Sequence, residues 1–248
     1  MPFGSQGTGR STPPGAAGFL LPQTHSCDMA TDMDPARATL PDSIAAPPRA
    51  RLFATLIFVI EMTALIVQPM LGDGTIPENT AGMLRFFTIW SNIAACAIFA
   101  LIASGRTVPR AAMAALATAL AVVGLVYWLL LSGDHHPVGW DRGTNQVFHT
   151  FGPVAGVAWW LRYTPPAPRI APLLPAIMVP PLAYGAFALA LGLTTGFYAY
   201  FFLDLSQMGW GPFLLSNLVL AVFFAAMGAG LLAAKNALHR RLGRRSAG

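Results

Sequence analysis

Six long apolar runs leave this chain few ways to fold. They cover residues 51–71, 84–103, 111–131, 144–161, 170–193 and 210–234, and each is close to the ~20 residues that carry a helix through a hydrocarbon core of about 30 Å. Lipid offers the backbone no hydrogen bonds, so only helices and closed barrels span it. None of the runs alternates with the period of two that a barrel strand needs. The expected fold is therefore all-α, a polytopic bundle of six transmembrane helices. Composition agrees, with a mean hydropathy of +0.57 and only 10% charged residues, where a soluble domain carries about 25%.

Outside the runs, residues 1–48 are rich in Pro, Gly, Ser, Thr and Ala and read as a disordered cytoplasmic tail. Their one apolar patch, residues 16–21, is shorter than the ~7–15 residues of a signal-peptide core, so no signal is expected. Met29 and Met33 are candidate downstream translation starts. Residues 49–238 make the membrane domain, and 239–248 form a basic cytoplasmic tail. Orientation comes from Lys and Arg, which stay on the cytoplasmic side. Arg49 and Arg51 precede the first run, Arg106 and Arg110 follow the second, Arg162 and Arg169 follow the fourth, and Lys235, Arg240, Arg241, Arg244 and Arg245 follow the last. The alternate connections hold only Arg85 and Arg142, together with Asp73, Glu78, Asp134, Asp141 and Asp204. Both termini are thus expected in the cytoplasm and the protein in the cell membrane. The net charge of +5 reads as this topology signal, and a nucleic-acid partner is not expected. The aromatic segment 196–209 is expected at the membrane surface or as the beginning of the last span. Cys27 in the tail and Cys96 in a span make no disulfide framework.

Polar side chains inside a span are costly, so each needs an interior partner or a wet cavity. Glu61 sits midway along the first run, with Gln68 two turns on and nearly the same face; Glu61 reads as a packing group or as a proton-linked site. In the second run Thr88, Ser91, Asn92, Ala95 and Cys96 recur at spacings of three and four, a small polar stripe that must face the bundle. In the fourth, Asn145, His149, Gly152 and Gly156 share a face. Pro153 cannot donate to the His149 carbonyl, which predicts a bend there. At 1.5 Å per residue, Gln68, Thr88 and His149 fall within about 4–7 Å of the outer ends of their runs. A hydroxyl and an imidazole at one depth are the minimum for an activated nucleophile. Asn92, Ser91 or Gln68 are candidate oxyanion donors, Asp204 a candidate to orient the imidazole, and Ser91 a rival nucleophile.

The stretch Arg85-Phe86-Phe87-Thr88-Ile89-Trp90-Ser91-Asn92, the segment from Trp140 ending Asn145-Gln146-Val147-Phe148-His149-Thr150, and Tyr200 to Asp204 occur in that order. Together they resemble the bacterial Pr-six-Pr integral membrane family over roughly residues 51–234. The two central motifs are more distantly similar to the androgen-induced family of transmembrane threonine hydrolases, whose members cleave fatty acid esters of hydroxy fatty acids with a Thr and a His inside the membrane. The resemblance implies Thr88 and His149 as a catalytic pair, a carboxylic ester hydrolase acting on membrane lipid, and a fatty-acyl ester as substrate.

The competing expectation is non-enzymatic: a small transporter, lipid-binding or structural membrane protein whose polar cavity is lined by Glu61, Asn92 and His149. The sequence holds no Cys-x-x-Cys, no Gly-x-Ser-x-Gly elbow, no phosphate-binding glycine loop and no second intramembrane His for haem. No cofactor and no metal are expected, the adjacent His135 and His136 reading as a solvated turn, and no sequence feature sets an oligomeric state.

Overall fold

The computed structural model describes residues 42–133, 135–167 and 169–245. The readings made for residues 1–41, Cys27, Met29 and Met33 among them, lie outside those residues, as does Asp134. The described chain is nearly all helix: α1 (Pro48–Val67, extended by a 3₁₀ turn at Gln68–Met70), α2 (Ile76–Met83), α3 (Phe87–Ala103), α4 (Arg110–Val126), α5 (Gly139–Gln146), α6 (Gly152–Tyr163), α7 (Leu174–Thr195), α8 (Leu205–Met208) and α9 (Trp210–Arg245). One two-residue pairing adds β1 (Ser43–Ile44) against β2 (Val108–Pro109), antiparallel.

Four helical stretches are long and apolar enough to cross a membrane: Pro48–Met70, Arg110–Leu131, Ala171–Thr195 and Trp210–Arg241. A fifth is added if α2 and α3, which meet at 98°, count as one bent span. Their packing is that of helices in lipid, with large apolar side chains outside and small ones between helices. Along α1, Leu52, Phe53, Leu56, Val59 and Ile66 are exposed, while Ala50, Ala54, Ile57, Glu61 and Ala64 form the buried stripe. That stripe meets Ala95, Phe99 and Ile102 of α3 in the main core.

Four boundaries differ from the sequence expectations or decide between them. The second run is not helical from residue 84, because Leu84 to Phe86 turn a corner and Phe86 is extended (φ −108°, ψ 135°). The carbonyls freed there are captured by distant groups: Trp90 Nε1 donates to the Leu84 carbonyl at 2.8 Å and the Tyr184 hydroxyl to that of Arg85 at 2.8 Å. Helix continues through residues 239–245, read from sequence as a tail, and the expected tail at 1–48 gives way to structure already at β1. The segment 196–209 does not begin the last helix: it holds a 3₁₀ turn, α8 and Gly209 at φ +70°, which breaks the chain before α9.

Two turns of π-helix interrupt the regular helices. Tyr127–Leu131 continues α4, and Val147–Phe151 joins α5 to α6. The second falls just before Pro153, whose ring nitrogen cannot donate to the His149 carbonyl. The bend expected at that proline is thus realised as one widened turn.

Candidate functional site

The site lies where the two π-turns face each other. The first residue of one stacks on the middle residue of the other, the Tyr127 and His149 rings lying 3.9 Å apart at 23°. The Asn145 amide donates to the Tyr127 hydroxyl at 2.7 Å, and that hydroxyl lies 3.5 Å from His135 Nδ1. His149 Nδ1 lies 3.1 Å from the Asn145 carbonyl. A carbonyl only accepts, so Nδ1 carries the proton and Nε2 keeps a free lone pair. The imidazole is held in the tautomer that a general base requires.

Thr88 stands in the first turn of α3, immediately after the corner, closer to the helix end than the depth expected from a run beginning at 84. Helix-start residues have no carbonyl one turn back within the helix, and among the described residues the Thr88 hydroxyl makes no such bond. Aromatic packing holds the corner: Phe86 meets Phe197 and Tyr200 edge-on, and Phe87 packs on Tyr184 and Phe224 at 5.3 and 5.6 Å. Tyr200 faces Thr88. Burial pushes its phenol above the ordinary range, while the facing Thr88 hydroxyl acts in the opposite sense.

Thr88 and His149 line one cavity of about 470 Å³, with Tyr127, Asn145, Asp141 and Tyr200. No hydrogen bond joins the hydroxyl to the imidazole among the described residues; such contacts are commonly long without substrate and tighten when it binds. A second cavity of about 340 Å³ runs between α4, α7 and α9 and is walled by Val122, Met178, Leu182, Phe213 and Leu220. Thr88, Leu131 and Tyr200 line both cavities. The hydroxyl thus sits where a mainly apolar space meets a more polar one.

The remaining candidates are occupied elsewhere. The Gln68 amide donates to Asp141 Oδ1 at 2.7 Å and its oxygen accepts from the Thr144 hydroxyl, tying the end of α1 to α5. Asn92 is fully buried and donates to the Thr88 carbonyl at 2.7 Å and that of Phe148 at 3.3 Å. It joins the two elements without lining either cavity. Ser91 is buried and lines neither, so Thr88 is the α3 hydroxyl with space before it. Asp204 does not reach His149. It caps α8, accepting from the Ser206 and Gln207 N–H groups at 3.0 and 3.2 Å and from the Ser206 hydroxyl at 2.5 Å. That Ser206 hydroxyl holds its carboxyl below the usual range. The Asn145 carbonyl does the orienting expected of Asp204. Among the described residues no cluster of metal-ligating side chains is found.

Tyr127, Tyr200 and His135 were not among the sequence candidates. The signal for the first two was present: a phenol inside an apolar segment needs a partner for its hydroxyl. No protein-family model, curated protein or solved structure matches the chain.

Proposed function

We propose that the chain is an integral membrane hydrolase that cleaves a lipid ester with Thr88 as nucleophile and His149 as base. The observation that carries the reading is the position of Thr88 on the boundary of the two cavities, with an imidazole of fixed tautomer lining the polar one. The fatty-acyl chain of the substrate lies in the apolar cavity and its carbonyl carbon reaches Thr88. His149 Nε2 takes the hydroxyl proton as Oγ1 bonds to that carbon. The Tyr200 hydroxyl, facing Thr88, donates to the oxyanion. When the ester C–O bond breaks, the proton passes from Nε2 to the leaving alcohol, and water then hydrolyses the acyl-threonine by the same base. The motifs shared with the Pr-six-Pr family and, more remotely, with the transmembrane threonine hydrolases point the same way.

The same reading takes the protein as six spans in the cell membrane. The stretch from α5 through the π-turn to α6 is continuous helix over Gly139–Tyr163 and supplies the sixth, its apolarity lowered by the polar residues the site requires. Arg51, Arg110 and Lys235 bond to groups at one end of the helices, while Gln68, His135 and Asp141 line the cavity at the other. Basic residues mark the cytoplasmic side, which supports reading the termini as cytoplasmic and the cavity as facing the outside.

The test is labelling of the protein in detergent by a fluorophosphonate ester, alongside hydrolysis of a fatty-acyl ester. Both occur with the native chain, and both are lost in Thr88→Ala and His149→Ala. Labelling that persists in both variants overturns the proposal. A lipid-binding protein without chemistry takes up the acyl ester unchanged and is indifferent to either substitution.

A further inference from the structure

Glu61 is fully buried in the stripe that α1 presents to α3. Both of its carboxyl oxygens lack a hydrogen-bond partner among the described residues, and so does Asn92 Oδ1. Glu61 Oε1 and Asn92 Oδ1 converge on one place. A Cβ on Gly152 would overlap Glu61 Oε1 and lie 2.9 Å from Asn92 Oδ1. Only the bare Cα of a glycine in α6 leaves room for both.

The direction of the Asn92 amide is fixed independently. Its nitrogen donates to the carbonyls of Thr88 and Phe148, so its oxygen must be the end turned toward Glu61. Acceptor then faces acceptor, and among the described residues neither finds a donor; the Ser91 hydroxyl, buried one residue away on α3, is itself unpartnered and bonds to neither. Nothing charged resolves this. From α3 the titratable group near Glu61 is the Cys96 thiol, which points to the Phe58 carbonyl at 3.8 Å. α6 contributes Gly152, and the His149 imidazole is held on the Asn145 carbonyl, lining the polar cavity. Neither of the two cavities of the site is lined by Glu61, so a hydrated cation has no room there. An unpaired carboxylate in such surroundings takes up a proton.

We propose that Glu61 is a proton-binding site: a neutral carboxylic acid whose hydroxyl donates to Asn92 Oδ1 and thereby locks the amide that ties α3 to the second π-turn. Glu61 is a positioning residue that acts through Asn92. The bound proton holds the Thr88 carbonyl and the Phe148 carbonyl on one amide, and so sets the spacing of the two elements that carry the hydroxyl and the imidazole. This inference does not rest on the hydrolytic reading, since the proton site is required by the packing of α1, α3 and α6 whatever the cavity binds.

The chain has only two glutamates, Glu61 and Glu78. Glu78 is exposed and accepts from the Thr75 N–H and hydroxyl at 2.9 and 2.7 Å, so it is a carboxylate at neutral pH. Infrared spectra of the full-length protein in lipid nanodiscs, labelled with ¹³C on the glutamate carboxyls, therefore separate the two. At pH 7 the label gives one protonated-acid band and one carboxylate band. The acid band disappears in Glu61→Gln and shifts upward in Asn92→Leu as the hydrogen bond is lost. Gln at position 61 keeps a donor for Asn92 and melts close to the native protein, whereas Glu61→Met melts well below it. Two carboxylate bands at pH 7 overturn the proposal, as does a labelled band that moves on adding sodium, or equal melting of the Gln and Met variants. The spectrum of the native chain decides the matter even if a variant fails to fold.

Discussion

At the end of the bundle where α3 and α6 finish, three long basic side chains are spent on backbone carbonyls. Arg51 donates to the Ala103 carbonyl at 3.3 Å, Lys235 to that of Trp160 at 2.6 Å, and Arg110 to that of Pro166 at 2.5 Å. The space left there is about 10 Å³. At the opposite end, Thr88 and His149 Nε2 have no such commitments and border about 470 Å³. Cations near helix C-termini satisfy the last carbonyls and the helix dipole together; that end is a clasp. The other end leaves an imidazole lone pair and the Thr88 hydroxyl, which faces Tyr200, beside open space; on the proposed reading that is where chemistry takes place.

This contrast is open to attack from either end. Lys235 is 1% exposed, bonds to the Trp160 carbonyl and the Thr164 hydroxyl, and stands 4.2 Å from the Trp160 ring. Replacing it with Met removes charge-assisted bonds of the class worth roughly 1.5–3 kcal/mol. Thermal denaturation in detergent shows that loss while turnover per folded molecule is unchanged. A fall in turnover with native stability would erase the distinction between the ends. Tyr127→Phe takes away the acceptor of the Asn145 amide and leaves that donor buried and unpaired, at about 1 kcal/mol. Because the ring stays, His149 keeps its stacking partner, and turnover falls only a few-fold. A loss as complete as that of His149→Ala would make the Tyr127 hydroxyl part of the chemistry.

The smallest effect is expected at Asp204. As a cap of α8, its removal in Asp204→Ala lowers the melting temperature slightly and spares hydrolysis; a turnover loss matching that of His149→Ala would return it to the imidazole. Its sign with pH is also fixed. A carboxyl held below its ordinary value contributes stability above the unfolded-state value, and the contribution is lost as pH falls through the lowered one. Native and Asp204→Ala proteins therefore converge in stability under acid conditions and separate near neutrality.

The helical character was legible in the long apolar runs, and the inward faces that bring Thr88 and His149 to one cavity in small polar residues at every third or fourth position and in the similar depth of the two. What escaped was set by groups far apart in the chain. The corner at Leu84–Phe86 holds no proline or glycine and reads as helix until Tyr184, about a hundred residues on, takes the Arg85 carbonyl. Gln68, Asn92 and Asp204 carry the right chemistry for the roles assigned to them, yet Asp141, the Phe148 carbonyl and the Ser206 backbone had prior claim on them. Tyr127 was hidden by its own ring, which counts as hydrophobic in a run of Leu and Val, and Tyr200 by the other aromatic residues around it.

Each π-turn can be viewed as an α-helix that has absorbed one surplus residue. An α-helix advances about 100° per residue, so a surplus residue not taken up by the widened turn at Val147–Phe151 would rotate everything that follows by that angle. Gly152 would leave Glu61, Gly156 would leave Leu120, and Trp159 would leave the Ala50 carbonyl it now bonds at 2.9 Å. The widened turn therefore keeps the surplus residue a local matter: the phase error it would otherwise carry to the far end of the helix is taken up within Val147–Phe151.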